Sequence, residues 1–201
     1  MIDFFHPPKP TRIWPDADLF KSIDQNPMWI GEVKYNGWRL LLFKIDGKLL
    51  IYNNHGTVID IDPKIFLPHF AQIPNNTVFD GELVDKRTKE LKKVMVFWDT
   101  CFYNGKDLRS LPLKTRRQYL DHFPTVPEKI TQSSQSQVYK VQQFQAGNLI
   151  SLYHQIEARA NNLEEGLVLK NTLSKYKSHP SRCIDIIDWI KVKKIGEDSK
   201  V

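Results

Sequence analysis

The chain has 201 residues, 41% of them hydrophobic and 11% aromatic, enough for a real core and against wholesale disorder. Its two cysteines, Cys101 and Cys183, are too few and too far apart for a disulfide framework or a zinc site, and read as reduced thiols. No apolar stretch is long enough to span a bilayer and no signal pattern opens the chain, which predicts a soluble, intracellular (cytoplasmic) protein, while a net charge of +6 suits a polyanionic partner.

Residues 1–25 are expected to form a proline-rich extended arm, Met1 to Pro15, and a short helix, Asp16 to Gln25, capped by Asp16. From Trp29 the chain turns β-rich, with strands expected at Trp29–Lys34, Arg39–Ile45, Lys48–Tyr52, Thr77–Asp85 and Lys93–Asp99. Asp46-Gly47 between two of these is a hairpin signal, because that pair tolerates the positive φ values of a tight turn. Short helices are expected at Pro63–Phe70 and Thr115–His122, and a polar loop at Thr131–Gln137. Leu149, Leu152, Tyr153, Ile156 and Ala160 give helical periodicity to Ala146–Asn162. Two strands close the chain, Gly166–Lys170 and Trp189–Lys193. The sum is one α+β domain over residues 1–201, mostly antiparallel sheets flanked by helices.

Four segments can carry chemistry. In "EVKYNGWR" a strand ends near Lys34, and Asn36-Gly37 is expected to turn tightly, presenting the amine at the mouth of a sheet. A lysine amine becomes nucleophilic when desolvated or crowded by cations; an exposed lysine beside an ordinary turn is the plainer alternative. In "VFDGELVD", Asp80 and Glu82 share one face of a strand and Phe79 and Leu83 the other. Two acids on a buried strand need a metal or ligand hydroxyl to face, unless the strand is an edge with one solvated side. "EEGLVLK" brings an acid and a glycine into an apolar strand that ends in lysine. "DWIKVKK" sets Trp189, Lys191 and Lys193 on one face, where a phosphate would relieve their repulsion; a protective basic edge is the alternative.

In this order the segments resemble the covalent nucleotidyltransferase superfamily of DNA ligases, RNA ligases and mRNA capping enzymes. The stretch "VMVFWDTCFYNGKDLRSLPLKTRRQYL" looks particularly like the ATP-dependent DNA ligase branch, and the resemblance runs from about Trp29 to Lys194. It implies the ATP-grasp-like nucleotidyltransferase fold of DNA ligases and capping enzymes, acting in DNA repair, replication or recombination. Lys34 would take AMP from ATP as a covalent lysyl-AMP, Glu32 and the backbone at Val33 would read the adenine amino group, and Arg39 would lie near the ribose. Glu82 would bind the ribose hydroxyl or a metal, Trp98 would stack on adenine, and Glu165 would help hold Mg²⁺ or Mn²⁺. Lys191 and Lys193 would neutralise the α-phosphate. AMP would pass to the 5′-phosphate of nicked duplex DNA, with RNA a possible substrate, in an enzyme expected to act as a monomer.

The sequence departs from the family pattern in three places. Asn36 stands where the first motif has aspartate, and Asn53-Asn54 where DNA ligases commonly have Ser-Arg. Only seven residues follow Lys194, so the OB domain is expected to be absent, whether removed, supplied by a separate OB-fold partner or dispensed with. Alternatives are an RNA ligase or capping enzyme of the same fold, and a non-catalytic nucleic-acid-binding module.

Overall fold

The computed structural model describes residues 2–84, 91–159 and 161–195. Asp85, the expected end of one strand, and Ala160, an expected apolar position of a helix, lie outside them. In chain order the strands are β1 (Lys9–Ile13), β2 (Trp29–Tyr35), β3 (Trp38–Ile45), β4 (Lys48–Asn53), β5 (Thr77–Val84), β6 (Val94–Tyr103), β7 (Lys106–Asp107), β8 (Gln137–Lys140), β9 (Gln143–Gln145), β10 (Glu164–Asn171) and β11 (Asp185–Lys193). The α-helices are α1 (Asp18–Asp24), α2 (Leu113–Arg117) and α3 (Leu149–Ala158).

The strands divide into two sheets. The first runs β1-β11-β10-β2-β9 and the second β4-β3-β5-β6-β7, with β8 added in parallel to β6. Apart from β1 beside β11 and β8 beside β6, neighbouring strands are antiparallel, as the alternating patterns require.

Alternation decides which way each sheet faces. Leu167, Leu169, Ile190 and Val192 bury one face of the first sheet against Phe20 and Ile23 of α1 and Leu149, Leu152 and Ile156 of α3. One face of the second sheet packs Phe79 and Phe97 against Phe66, Phe70 and Phe123, and the ring centroids of Phe70, Phe79, Phe97 and Phe123 lie 5.3–6.1 Å apart. Between the sheets lies an aromatic cluster of Phe5, Phe43, Tyr176 and Trp189. The cleft opens beside it.

Local chemistry explains where elements begin and end. Asp46 and Gly47 take φ values of 50° and 73°, the mirror-image turn expected between β3 and β4. Asn104 and Gly105, at 50° and 78°, repeat it between β6 and β7. Residues 63–70 form a 3₁₀ helix, capped by Asp62 through Lys64 N and interrupted by Pro68, which has no N–H to continue an α-ladder. The buried Lys44 ammonium donates to the carbonyls of Phe70 and Ile73 at 2.7 and 2.5 Å.

Several expectations need correction. The arm is not a lone extended segment: Lys9–Ile13 docks as a strand along β11. Helix α1 starts after Ala17, and no side chain caps it. The helix expected at Thr115–His122 is α2 followed by a 3₁₀ turn at Gln118–Leu120. Helix α3 is shorter than the periodicity suggested, because Asp24 reaches across from α1 and takes the amides of Gly147 (2.8 Å) and Leu149 (2.7 Å), fixing its start. Neither β5 nor β11 is an edge: β5 lies between β3 and β6, and β11 between β1 and β10. Among the described residues no helix is long and apolar enough to cross a membrane.

Asn36-Gly37 turns the chain within two residues, as expected, but β2 and β3 do not pair as a hairpin, and neither residue has a positive φ. It carries the chain from β2 in the first sheet to β3 in the second. Glycine is needed for room: a Cβ at Gly37 would lie 2.5 Å from Leu83 O and 2.7 Å from Glu82 Cγ. Asn36 uses its amide to donate to Asn162 O at 3.0 Å, which an aspartate could not do.

Candidate active site

Strand register sets the first wall of the cleft. Lys193, Gly166 and Lys34 lie abreast across β11, β10 and β2. The next row is Lys191, Val168, Glu32 and Gln143, reaching β9, and the third includes Trp189 and Lys170. Because alternate residues share a face, three strands present a grid of cations, one acid and one indole to the same side.

The second wall comes from β3, β5 and β6, with Arg39 paired to Glu82 across the ladder and Trp98 beyond them. Together the walls enclose a cleft of about 480 Å³, lined among others by Glu32, Val33, Lys34, Arg39, Glu82, Trp98, Lys170 and Lys191, within the range of nucleotide-sized sites. Glu165 and Lys193 join it through Lys34: the Lys34 ammonium donates to Glu165 Oε2, and Lys193 Nζ lies 3.8 Å from the same oxygen. Asn53 and Asn54 line the mouth, where Asn54 O accepts from His6 Nδ1 at 3.0 Å.

Two of these side chains are aimed by β-bulges. On β10 the pairing steps from Glu164↔Tyr35 to Gly166↔Lys34, so Glu165 has no partner of its own and turns toward Lys34. On β6 it steps from Asp99↔Asp80 to Phe97↔Gly81, which leaves Trp98 as the extra residue. Bulges re-aim side chains in this way beside functional sites. Each is tied to a glycine: a Cβ at Gly81 would lie 2.5 Å from Val96 O, and one at Gly166 would lie 2.1 Å from Val192 O. Gly166 also has φ 139°. Gly166→Ala is therefore expected to cost about 1–3 kcal/mol and to swing Glu165 away from Lys34. Thermal unfolding checks the first effect, and an unshifted midpoint would contradict it.

The lysines crowd one another. Burial first, and then the charges of Lys9, Lys34 and Lys193, hold Lys191 below the usual lysine pKa of 10.5. Its charged form is thus disfavoured in the fold, so stability should rise as pH climbs from that lowered value towards 10.5, where the unfolded chain binds the extra proton. An anion would supply the missing counter-charge at neutral pH. Lys191→Met should remove that alkaline rise and increase the ligand-free melting temperature. The same variant should weaken binding of a polyphosphate anion such as pyrophosphate about tenfold or more by deleting one charge-assisted contact. A variant that binds pyrophosphate as the parent does would refute an anion-binding role.

Glu32 lines the same cleft, in register with Lys191 across Val168. It is 2% exposed. Lys170 Nζ lies 2.6 Å from its Oε2, Gln143 Nε2 donates to its Oε1 at 2.9 Å, and Arg117 Nη1 lies 3.6 Å away. Arg117 also donates to Trp98 O (3.2 Å) and Val141 O (2.8 Å). The Trp98 ring has the Lys170 ammonium 5.3 Å and the Arg39 guanidinium 5.6 Å from its centroid, and its buried Nε1 has no hydrogen-bond partner among the described residues. Arg39 itself forks onto Asp80 at 3.0 and 2.6 Å and also donates to Pro8 O.

Lys170, Arg117 and Gln143 were not among the candidates read from sequence. Lys170 and Arg117 had signals: a lysine ending an apolar strand, and the paired arginines of "LPLKTRR". Gln143 had none.

Among the described residues no three His, Cys, Asp or Glu side chains converge on a metal-sized point. The donor set, Glu165 beside the lysines and Glu82 on the facing wall, suits a magnesium ion that completes its shell with water and phosphate, not an all-protein cage.

With this geometry in place, the comparisons with known proteins are specific. Residues 84–193 match the model of the ATP dependent DNA ligase domain. DNA ligase 4 of Kluyveromyces lactis is 28% identical over 152 residues, which is 74% of this chain but only 15% of that protein. Among solved structures, mycobacterial DNA ligase D complexed with ATP and MES aligns at 19% identity and TM-score 0.52, over 82% of this chain and 54% of that one. The DNA ligase of bacteriophage T7 in complex with ATP aligns at 14% identity and TM-score 0.60, over 94% and 68%. These structural likenesses bear on the fold, which is the nucleotidyltransferase fold expected from the sequence. The chain belongs to the ATP-dependent DNA ligase domain family.

Proposed function

We propose that this chain is the adenylation core of an intracellular ATP-dependent DNA ligase. The observation that carries the reading is the set of groups gathered on one cleft. Lys34 sits among Glu165, Lys191 and Lys193, and the buried acceptor Glu32 and the Trp98 indole line the same cleft. That is the arrangement a nucleotide needs: cations for phosphate, an acceptor and an aromatic face for the base.

The Lys34 amine attacks the α-phosphorus of ATP. An N–P bond forms, the bond to the bridging oxygen breaks, pyrophosphate leaves with its electron pair, and the amine gives up a proton. Lys191 and Lys193 neutralise the α-phosphate as charge develops, so the chain contributes positioning and electrostatics more than covalent machinery. Glu82 faces the ribose hydroxyls, Trp98 covers the adenine, and Glu32, with the backbone at Val33, accepts from its amino group. Glu165 and Glu82 would hold a magnesium or manganese ion, which would supply further charge neutralisation. AMP then passes to the 5′-phosphate of nicked duplex DNA, and the 3′-hydroxyl displaces it. An OB-fold unit, on the same polypeptide or on a partner, would orient the pyrophosphate and close over the duplex.

Incubation with Mg²⁺ and either ATP or GTP labelled at the α-phosphate tests this directly. Label from ATP that survives denaturation is the expected result, followed by sealing of a pre-adenylated nicked DNA duplex. Label from GTP alone would turn the reading to a capping-type enzyme, and sealing of nicked RNA in preference to DNA would turn it to an RNA ligase. Neither label nor sealing would leave a nucleic-acid-binding module.

A further inference from the structure

Glu32 is held so firmly that its holders become part of the recognition. Strand β9 is three residues long, and its pairing with β2 covers Ile30↔Gln145, Gly31↔Phe144 and Glu32↔Gln143. Phe144 packs into the core beneath α1 and α3. Alternation therefore puts Gln143 on the opposite face, directly across from Glu32. Its Nε2 donates to Glu32 Oε1 at 2.9 Å, while Lys170 Nζ approaches Oε2 at 2.6 Å. Gln143 itself does not line the cleft; it stands behind the carboxylate, beside Arg117.

We propose that Gln143 is a positioning residue that sets nucleobase selectivity by locking Glu32 as an acceptor aimed into the cleft. The inference rests on the adenylation reading and extends it to a residue outside the cleft. With Gln143 donating to Oε1 and the Lys170 ammonium ion-paired to Oε2, both oxygens are held, and the lone pairs that remain point in set directions. The 6-amino group of adenine donates to such an acceptor. The 6-oxo group of guanine would meet it as acceptor against acceptor, in a buried place where the mismatch is costly. Arg117 Nη1, 3.6 Å from Oε1, is too far for a hydrogen bond, so the close donor that fixes this oxygen is Gln143.

Equilibrium binding of ATP and GTP is measured for the parent chain and for Gln143→Leu and Gln143→Glu, alongside melting temperatures and covalent labelling. Both variants keep much of the side-chain volume and lose the donor. The parent is expected to prefer ATP, and both variants to lose that preference by about tenfold or more. In labelling, the loss should fall on KM for ATP more than on kcat, a split that general loosening of the fold would not produce. Equal binding of ATP and GTP by the parent overturns the inference, as does an unchanged preference in either variant. ATP-selective binding without covalent label would remove the transferase reading alone, and loss of that selectivity in the variants would still support the role of Gln143.

Discussion

Lys34→Arg and Lys34→Ala are both expected to end covalent attachment of AMP while leaving a folded protein. Arginine keeps the charge and can keep the contact to Glu165, yet a guanidinium is never deprotonated near neutral pH and is no nucleophile. Alanine removes both. The structural cost of either is small. Lys34 is partly exposed, with its side chain at 23%, and Lys193 stays 3.8 Å from Glu165 when the Lys34 amine is gone. A loss of about 1 kcal/mol is expected for such a pair. Denaturing gels after incubation with α-labelled ATP read the chemistry, and thermal melts read the fold. Label retained by the arginine variant would place the nucleophile elsewhere.

The second large effect concerns stability. Arg116 and Asp99 are both fully buried, with Nε and Nη2 of the arginine 2.8 and 2.7 Å from the two carboxylate oxygens. Arg116 Nη1 also donates to Ser174 O at 2.8 Å, and Ser174 Oγ accepts from Trp189 Nε1 at 3.0 Å. Arg116→Met strands a charged Asp99 in the core beside Trp98. The expected cost is about 3–5 kcal/mol, a large share of the roughly 5–15 kcal/mol that holds a domain together. The double variant Asp99→Leu/Arg116→Met should be less destabilised than Arg116→Met, because it leaves no unpaired charge. Denaturant titration decides: a cost below about 1 kcal/mol for the single variant, or simple additivity in the double, would show the pair to be unimportant.

The legible parts of this chain were those governed by short-range rules. Alternation placed Asp80 with Glu82, and Lys191 with Lys193, and both pairs do share a face. Asp46-Gly47 turned as its φ preferences dictate. What escaped reading depends on partners distant in sequence. Strands β1, β7, β8 and β9 have two to five residues each, too few to show a period, and exist because a longer strand offers an open edge. The start of α3 is set by Asp24, more than 120 positions earlier. Asn36-Gly37 does turn the chain, but the reason for the glycine was not legible: it answers a steric demand from Leu83 and Glu82. The candidate site divides the same way. Lys34, Glu82 and Lys191 were named from their segments, Arg39 and Trp98 through the family resemblance, and all five line one cleft. The braces behind Glu32 were not, since Gln143 carries no pattern of its own.

Trp98 and Glu165 are each one residue more than their ladders require. Deleting either would close one local step in the pairing, between Phe97↔Gly81 and Asp99↔Asp80 or between Glu164↔Tyr35 and Gly166↔Lys34, and on the function proposed above the chemistry would go with it. In a lineage that descends from this chain, loss of activity could therefore be written as a single-position gap, with every core residue and every other charged group still in place. Such a gap would be more telling than a substitution, because it removes the aim of the side chain along with the side chain itself.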